Sequence, residues 1–209
     1  MIVETLAVGP FQSNCLVLGC PVTHQALVVD PGAEGERILA LLARHSLTPT
    51  ALLLTHAHVD HVGALGTLRG ACTAPILLHP ADRPLYAAVP TQARLFGLRA
   101  DPPPPPDGDL VDGQAIHFGD GHQLTVIHTP GHSPGGVCFH LPATGLLISG
   151  DTLFESGIGR TDLFGGNYGQ LLASIRERLL TLPGATRVIP GHGPETTIDA
   201  ERVGNPFLM

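Results

Sequence analysis

Residues 51–61 read ALLLTHAHVDH, an apolar run followed at once by three histidines and one aspartate. The short apolar run predicts a buried strand over Ala51–Leu54. Imidazole nitrogens and carboxylate oxygens are ligands that divalent transition metals take from proteins. Four such residues lie within six positions: His56, His58, Asp60 and His61. We therefore predict a metal site at the end of this strand rather than a solvated polar loop.

Three distant stretches share one pattern, in which an apolar strand runs into a glycine-rich turn that carries a candidate ligand. They are LTVIHTPGHSPGG (124–136) with His132, LLISGDTLF (146–154) with Asp151 and TRVIPGHGPET (186–196) with His192. Active sites of α/β proteins gather at the carboxyl ends of strands, and glycine lets a backbone approach a buried ion closely. Five histidines and two aspartates exceed one tetrahedral site and predict two metals that share a carboxylate.

The remaining histidines and the cysteines lack this context. We interpret the other histidines as surface or core residues: His24, His45, His79, His117, His122, His128 and His140. The four cysteines form no CxxC pair, which predicts buried, reduced thiols and fits a cytoplasmic protein.

Length and charge exclude several classes of protein. The 209 residues suit a single domain spanning 1–209. The net charge is −7 and all 11 basic residues are arginines without a basic patch, so we expect no nucleic-acid partner. The apolar runs are too short to span a membrane, and the N-terminus has no basic start followed by an apolar core. We therefore predict a cytoplasmic protein with no membrane partner.

Strand-like and helix-like patterns alternate over much of the chain. Strands are predicted over Ile2–Val8, Cys15–Leu18, Ala26–Val29, Ala51–Leu54, Pro75–Leu78, Leu124–His128, Val137–Leu141, Leu146–Ser149 and Arg187–Ile189. Helices are predicted over Glu34–His45 and Tyr168–Leu182, with weaker patterns over His61–Leu68 and Ala81–Ala88. The order favours an α/β protein in which helices cover mixed sheets. The proline-rich stretch DPPPPPDG (101–108) is interpreted as a stiff surface loop.

The motifs THAHVDH, TPGHSPGG, SGDTLF and PGHGPET, in this order, resemble those of the metallo-β-lactamase superfamily. The resemblance implies a four-layer αββα sandwich of two mixed sheets flanked by helices. It implies that one metal is held by His56, His58 and His132. It implies a second metal held by Asp60, His61 and His192, with Asp151 bridging the two. Zinc is the favoured metal, although His/Asp sites also accept iron or manganese.

Within the superfamily, the runs GDTLFESGIGRTDL (150–163) and TTIDAERVGNPF (196–207) resemble short glyoxalase II-like hydrolases of the hydroxyacylglutathione hydrolase family. The resemblance implies that a metal-bridging hydroxide attacks a small-molecule thioester such as S-lactoylglutathione, without a C-terminal helical glutathione-binding domain. Asp60 is then also catalytic, because it can orient the hydroxide. Arg160 is the candidate for binding a substrate carboxylate. A structural ion pair between Arg160 and Asp162 is the alternative interpretation.

Other activities of the same motifs stay open. A persulfide (sulfur) dioxygenase would hold one iron through His56, His132 and Asp151, although PGHGPET favours the hydrolase. A lactonase would use the same two-metal centre, and a metal-binding module would have no catalytic activity. A bridging Asp151 argues against the true β-lactamases. Metal content and substrate separate these hypotheses, whereas the oligomeric state has no signature in the sequence.

Overall fold

A six-stranded sheet forms the first half of the molecule in the computed structural model, which describes residues 1–209. Its strands, in both chain order and spatial order, are Ile2–Val8 (β1), Ser13–Gly19 (β2), Gln25–Val29 (β3), Thr48–Leu53 (β4), Ile76–Leu78 (β5) and Gly108–Asp109 (β6). The β1–β2 and β2–β3 pairs are antiparallel, and the pairs from β3 to β6 are parallel. The sheet is therefore mixed, as predicted.

A second six-stranded sheet follows, with one small hairpin beside it. The strands are Ala115–Phe118 (β7), His122–His128 (β8), Val137–Leu141 (β9), Leu146–Gly150 (β10), Leu153–Phe154 (β11), Gly157–Ile158 (β12), Arg187–Pro190 (β13) and Thr196–Thr197 (β14). The spatial order is β14-β13-β10-β9-β8-β7, while β11 and β12 form the hairpin. Only β10 and β13 pair in parallel, so this sheet is also mixed.

Seven short α-helices connect the strands. They are Gly35–Arg44 (α1), Val59–Val62 (α2), Leu65–Ala71 (α3), Arg83–Ala87 (α4), Val89–Leu95 (α5), Tyr168–Ser174 (α6) and Ile198–Gly204 (α7). Two 3-10 turns cover Pro80–Asp82 and Pro142–Thr144, and α6 continues into a π-helical turn over Ile175–Leu179. No helix combines the length and the hydropathy needed to cross a lipid bilayer.

Three apolar clusters lie between the layers of the fold. One joins α1, α3, α4 and α5 to the first sheet, and it includes Val17 of β2. A second lies between the two sheets, and Leu16 and Leu18 of the same strand contribute to it, because successive side chains on a strand point to opposite faces. A third packs α6 and α7 against the second sheet through residues such as Leu147 and Leu171. Three interfaces require four layers, which confirms the αββα sandwich.

The long predicted elements are confirmed with shifted ends. The weaker helix over His61–Leu68 is interrupted at Gly63 and Ala64, where the Ala64 backbone N–H donates to the Pro31 carbonyl oxygen at 2.9 Å and not to the preceding helical turn. The helix predicted over Tyr168–Leu182 changes to π-helical hydrogen bonding after Ser174. Strands β6, β11, β12 and β14 escaped prediction, because two residues carry no periodicity, and the four-residue β7 and the helices α5 and α7 were not predicted either.

Residues 101–107 of the proline-rich stretch lie outside helices and strands, as predicted, and the last residue of the stretch, Gly108, begins β6. The stretch is anchored to its neighbours, since the Tyr86 hydroxyl donates to the Pro104 carbonyl oxygen at 2.6 Å. The four cysteines are unpaired, and three of them are buried.

Candidate metal centre

All seven candidate ligands lie together at one end of the sandwich. Four follow β4, with His56 and His58 in the loop and Asp60 and His61 in α2, and the others follow β8, β10 and β13. Two of the three groups whose ligand atoms lie within 4.8 Å of one another consist entirely of predicted ligands: His56, His58 and His132, and Asp60, His61 and His192. We call them the first trio and the second trio. They coincide with the two ligand sets that the family resemblance implied.

Asp151 lies between the two trios. Its Oδ1 is 3.5 Å from His61 Nε2, and its Oδ2 is 3.6 Å from both His132 Nε2 and His192 Nε2. The carboxylate therefore contacts members of both trios through its two oxygens. This position fits a shared, bridging ligand.

Hydrogen bonds at Nδ1 orient four histidine rings so that the other ring nitrogen, Nε2, faces the centre. The Nδ1 atoms of His61, His132 and His192 donate to acceptors: Asp30 Oδ2 at 3.0 Å, the Arg160 carbonyl at 2.8 Å and the Phe11 carbonyl at 3.0 Å. His56 Nδ1 lies 3.0 Å from Thr55 Oγ1, whose own proton goes to Asp30 at 2.5 Å. In its neutral form each ring would keep a lone pair on Nε2, which is the form that binds metal.

Several polar atoms of the candidate ligands are buried without a hydrogen-bond partner. They are the Nε2 atoms of His56, His58 and His61 and Oδ1 of Asp151. A buried polar atom without a partner is costly, so it is rare unless a ligand or ion completes it. The chemistry and the convergence of these atoms fit a pair of divalent metal ions.

The charges of the centre also fit metal binding. Burial and the neighbouring imidazoles lower the pKa of His58 to about 3 and hold the pKa of His56 well below its usual value. Burial opposes protonation of His61 as well, but the carboxylates of Asp60, Asp151 and Asp30 outweigh it and raise the pKa of His61 to about 10. His56 and His58 are therefore neutral imidazoles, whereas His61 lies among three carboxylates whose negative charge a cation would compensate.

Asp30 holds the loop of candidate ligands from the end of β3. Its carboxylate accepts from the Thr55 backbone N–H at 2.7 Å and from the Thr55 hydroxyl, besides His61. Asp30 also lies close enough to His56 and His61 to form a third possible ligand group. Because its oxygens already accept three hydrogen bonds, we assign it to orienting His61 rather than to binding metal.

Two further buried residues brace the same loop. Gln92 of α5 accepts from the Val59 backbone N–H at 3.0 Å and donates to the Ala57 carbonyl at 3.1 Å. Asp82 accepts from the Ala57 N–H at 3.0 Å and also from Ser133 Oγ at 2.8 Å. Asp82 thus ties the loop of the first sheet to the His132 turn of the second.

Glycines give the second sheet its close approach to the centre. A Cβ atom at Gly191 would collide with Asp151 Oδ1, and one at Gly159 would collide with the Asp151 carbonyl oxygen. The His192 turn is also joined to the first sheet, since the Asn14 side chain donates to the Pro190 carbonyl at 2.9 Å. Glycine beside these candidate ligands therefore serves the close backbone approach that the sequence predicted.

Arg160 lines the cavity that opens onto the candidate metal centre, but its guanidinium group is paired with Asp162. Its Nε and Nη2 atoms donate to the two carboxylate oxygens of Asp162, both at 2.7 Å. This ion pair is exposed to solvent. The alternative interpretation of Arg160 is thus present in the structure, and contact with a substrate stays a prediction.

Sequence reasoning missed Asp30, Thr55, Asp82 and Gln92. Asp30 had a usable signal, because VVDPG (28–32) repeats the pattern of an apolar strand followed by a glycine turn. Asp82 and Gln92 lie in helical segments without such a pattern and become visible only through their contacts. Of the seven other histidines, none belongs to the candidate ligand groups, although His79 and His128 stack with ring centroids 4.1 Å apart.

A family comparison matches this geometry. Residues 8–192 match the family model of the metallo-beta-lactamase superfamily. The chain belongs to the metallo-β-lactamase superfamily. The chain is 44% identical to the probable metallo-hydrolase YqgX of Bacillus subtilis, over 97% of this chain and 95% of the relative. It is 38% identical to the hydroxyacylglutathione hydrolase GloC of Haemophilus influenzae, over 100% of this chain and 98% of the relative.

Solved structures give the same assignment to the metallo-β-lactamase superfamily. The crystal structure of the BLEG-1 B3 metallo-beta-lactamase is similar with a TM-score of 0.92 and 41% identity, covering 99% of each chain. That of TTHA1623 in a di-iron-bound form is similar with a TM-score of 0.91 and 45% identity, covering 99% of this chain and 100% of the other. The resemblance read from the motifs is therefore confirmed, as is the fold that it implied.

Proposed function

We propose that this protein is a metal-dependent hydrolase that cleaves a thioester such as S-lactoylglutathione. The observation that carries the proposal is the pair of trios joined by Asp151, in which buried ligand atoms converge without protein partners. The similarity to the hydroxyacylglutathione hydrolase GloC supports the thioester as the substrate class. A small-molecule substrate also fits the cavity of about 550 Å³ that opens onto the centre.

The proposed ligands divide as the trios do. His56, His58 and His132 would hold one ion, while Asp60, His61 and His192 would hold the other and Asp151 would be shared. When bound, such ions act as Lewis acids that lower the pKa of water and polarise a carbonyl group. Zinc is our first choice of metal, and the di-iron form of TTHA1623 makes iron the next to test.

The residues of the chain position the reactants. Asp60 borders the cavity, and its Oδ2 lies 3.1 Å from His192 Nε2. A carboxylate in this position can accept a hydrogen bond from the attacking water and orient its lone pair towards the acyl carbon. Hydrolysis adds the water oxygen to that carbon and breaks the carbon–sulfur bond, which yields a carboxylic acid and a thiol. Because a thiol has a pKa of about 8.5, the thiolate leaves without a strong general acid.

Elemental analysis paired with an S-lactoylglutathione assay tests the proposal. We expect two equivalents of metal per chain, hydrolysis of the thioester, and loss of hydrolysis in Asp60→Ala and His61→Ala. Full activity in either variant would contradict the proposed roles. One equivalent of iron with oxygen uptake on glutathione persulfide, and without hydrolysis, would instead support the dioxygenase.

β-Lactam hydrolysis is a second candidate, favoured by the similarity to the BLEG-1 B3 metallo-beta-lactamase. The same two-metal centre could direct water to the carbonyl carbon of a lactam ring. Parallel measurement of kcat/KM for a chromogenic cephalosporin and for S-lactoylglutathione separates the candidates. We expect the thioester to have the higher value, and the reverse order would replace the first proposal by the second.

A further inference from the structure

Large apolar side chains surround the mouth of the cavity that opens onto the candidate metal centre. We define this apolar rim by its five residues: Phe11, Leu95, Phe96, Leu163 and Phe164. Leu95 is 79% exposed and Phe164 is 73% exposed, so both present most of their apolar surface to solvent. A group of exposed apolar side chains beside a cavity is typical of a binding surface.

The rim is assembled from separate parts of the chain. Phe11 lies in the turn between β1 and β2, Leu95 and Phe96 lie at the end of α5, and Phe164 precedes α6. The rings of Phe11 and Phe96 pack edge to face with centroids 5.2 Å apart. The same cavity is lined deeper by His58, Asp60, His132, Asp151 and His192. A substrate whose apolar group binds at the rim would therefore place its reacting atom at the centre.

Positive charge is scarce in this cavity. Apart from histidines, Arg160 is the only basic residue that lines it, and its guanidinium group is bound to both oxygens of Asp162. A glutathione moiety has two carboxylates, and none of the lining residues offers either of them an uncommitted guanidinium or ammonium group. The cavity therefore matches an apolar group better than a multiply charged one.

We propose that the apolar rim selects thioesters that carry an apolar alkyl or aryl substituent, in preference to S-lactoylglutathione. This inference rests on the proposed thioester hydrolysis and specifies its substrate class. The rim would remove the substituent from water, while the carbonyl group reaches the centre. At about 0.8 kcal/mol for each buried methylene group, kcat/KM rises about fourfold for each one that is fully buried.

A homologous series of substrates tests the inference on the metal-loaded protein. We would measure kcat/KM for S-acetyl-, S-butyryl-, S-hexanoyl- and S-octanoylglutathione, each normalised to its rate with hydroxide. A second series of ethyl, butyl and hexyl thioacetates asks whether the rim receives the acyl side or the thiol side. We expect kcat/KM to rise by about twofold to fourfold for each added methylene in one of the two series.

Variants of the rim have matched controls elsewhere on the surface. Leu95→Ser is paired with Val203→Ser, because these side chains are 79% and 78% exposed. Phe96→Ala is paired with Phe207→Ala, at 45% and 46% exposure. We expect the two rim variants to flatten the dependence on chain length and the two controls to retain it. Metal content and melting temperature, measured for all four, show whether each variant is folded and loaded.

The outcomes separate this inference from the proposed function. If no thioester is hydrolysed by the loaded protein, the proposed function fails and the inference fails with it. If thioesters are hydrolysed but chain length has no effect, or rim and control variants respond alike, only the inference fails. If Leu95→Ser abolishes self-association in sedimentation but leaves the chain-length dependence intact, the rim is a contact between copies of this chain, which also overturns the inference.

Discussion

The two halves of the candidate metal centre are built and held in different ways. The first sheet supplies four candidate ligands from the loop after β4 and from α2, and side chains such as Asp30, Thr55 and Gln92 brace that loop. The second sheet supplies one candidate at each of three strand ends. There, backbone carbonyls orient His132 and His192, and glycines make room beside Asp151.

This difference indicates which substitutions each half should tolerate. The loop half depends on the identity of side chains, because its orienting partners are carboxylate, hydroxyl and amide groups. The strand-end half depends on the course of the backbone. Backbone carbonyl oxygens orient its histidines, and glycines without a Cβ atom leave room for Asp151. Substituting side chains should therefore disturb the first half, and adding a methyl group to a glycine should disturb the second.

Asp151→Ala should have the largest effect, because this residue contacts both trios. We expect bound metal to fall from two equivalents to one or fewer and kcat/KM to fall by more than about 100-fold, which exceeds the usual loss from removing an outer partner of a ligand. Elemental analysis and thioester hydrolysis measure these two quantities. Retention of two tightly bound metals would show that the two trios do not share this carboxylate.

Asp30→Ala tests the loop half. The change removes the acceptor for His61 Nδ1 and for both Thr55 donors, so we expect metal affinity to fall by about 10-fold to 100-fold. Metal titration with a competing chelator measures the affinity. Asp30→Asn should recover only part of the metal affinity. Its amide oxygen can accept from the Thr55 backbone N–H, but its amide nitrogen cannot accept from His61 Nδ1 or the Thr55 hydroxyl. Unchanged affinity in both variants would contradict the bracing role.

Gly191→Ala tests the strand-end half. The added methyl group would collide with Asp151 Oδ1, so we expect bound metal to decrease and kcat/KM to fall by about tenfold. Gly70→Ala is the control, because a Cβ atom there meets nothing within 4 Å. Alanine also favours a helix over glycine, so the control should be folded and fully active. Equal losses in the two variants would indicate a general effect on folding.

Arg160→Ala should have the smallest effect. The carbonyl oxygen that orients His132 remains, and the lost ion pair with Asp162 is exposed. We expect kcat to stay unchanged and KM to rise by about twofold to fivefold if the guanidinium group contacts substrate. If KM stays equal to that of the unsubstituted protein, the ion pair with Asp162 is the only role of Arg160. That result would agree with a preference for apolar substrates. A large fall in kcat would show that the side chain supports the strand-end half.

How readily each half could be predicted from the sequence depended on how that half is built. The loop was recognisable at once, because four ligand-type residues lie within six positions of the chain. His132, Asp151 and His192 needed the shared pattern of strand and glycine turn before they could be grouped. The single-domain organisation and the roles of individual site residues stay predictions, since geometry brings the residues together without showing what they do.

By itself, the sequence determined the layered α/β architecture and the set of candidate ligands. Both are written locally, as short apolar runs that form strands and as ligand residues placed just after them. The tertiary structure alone decided which groups orient those ligands and which side chains form the apolar rim. His192 reaches the carbonyl oxygen of Phe11 across 181 positions, and the rim combines connecting segments from both halves of the chain. Contacts of this kind depend on how the strands are ordered in space, which no local pattern encodes.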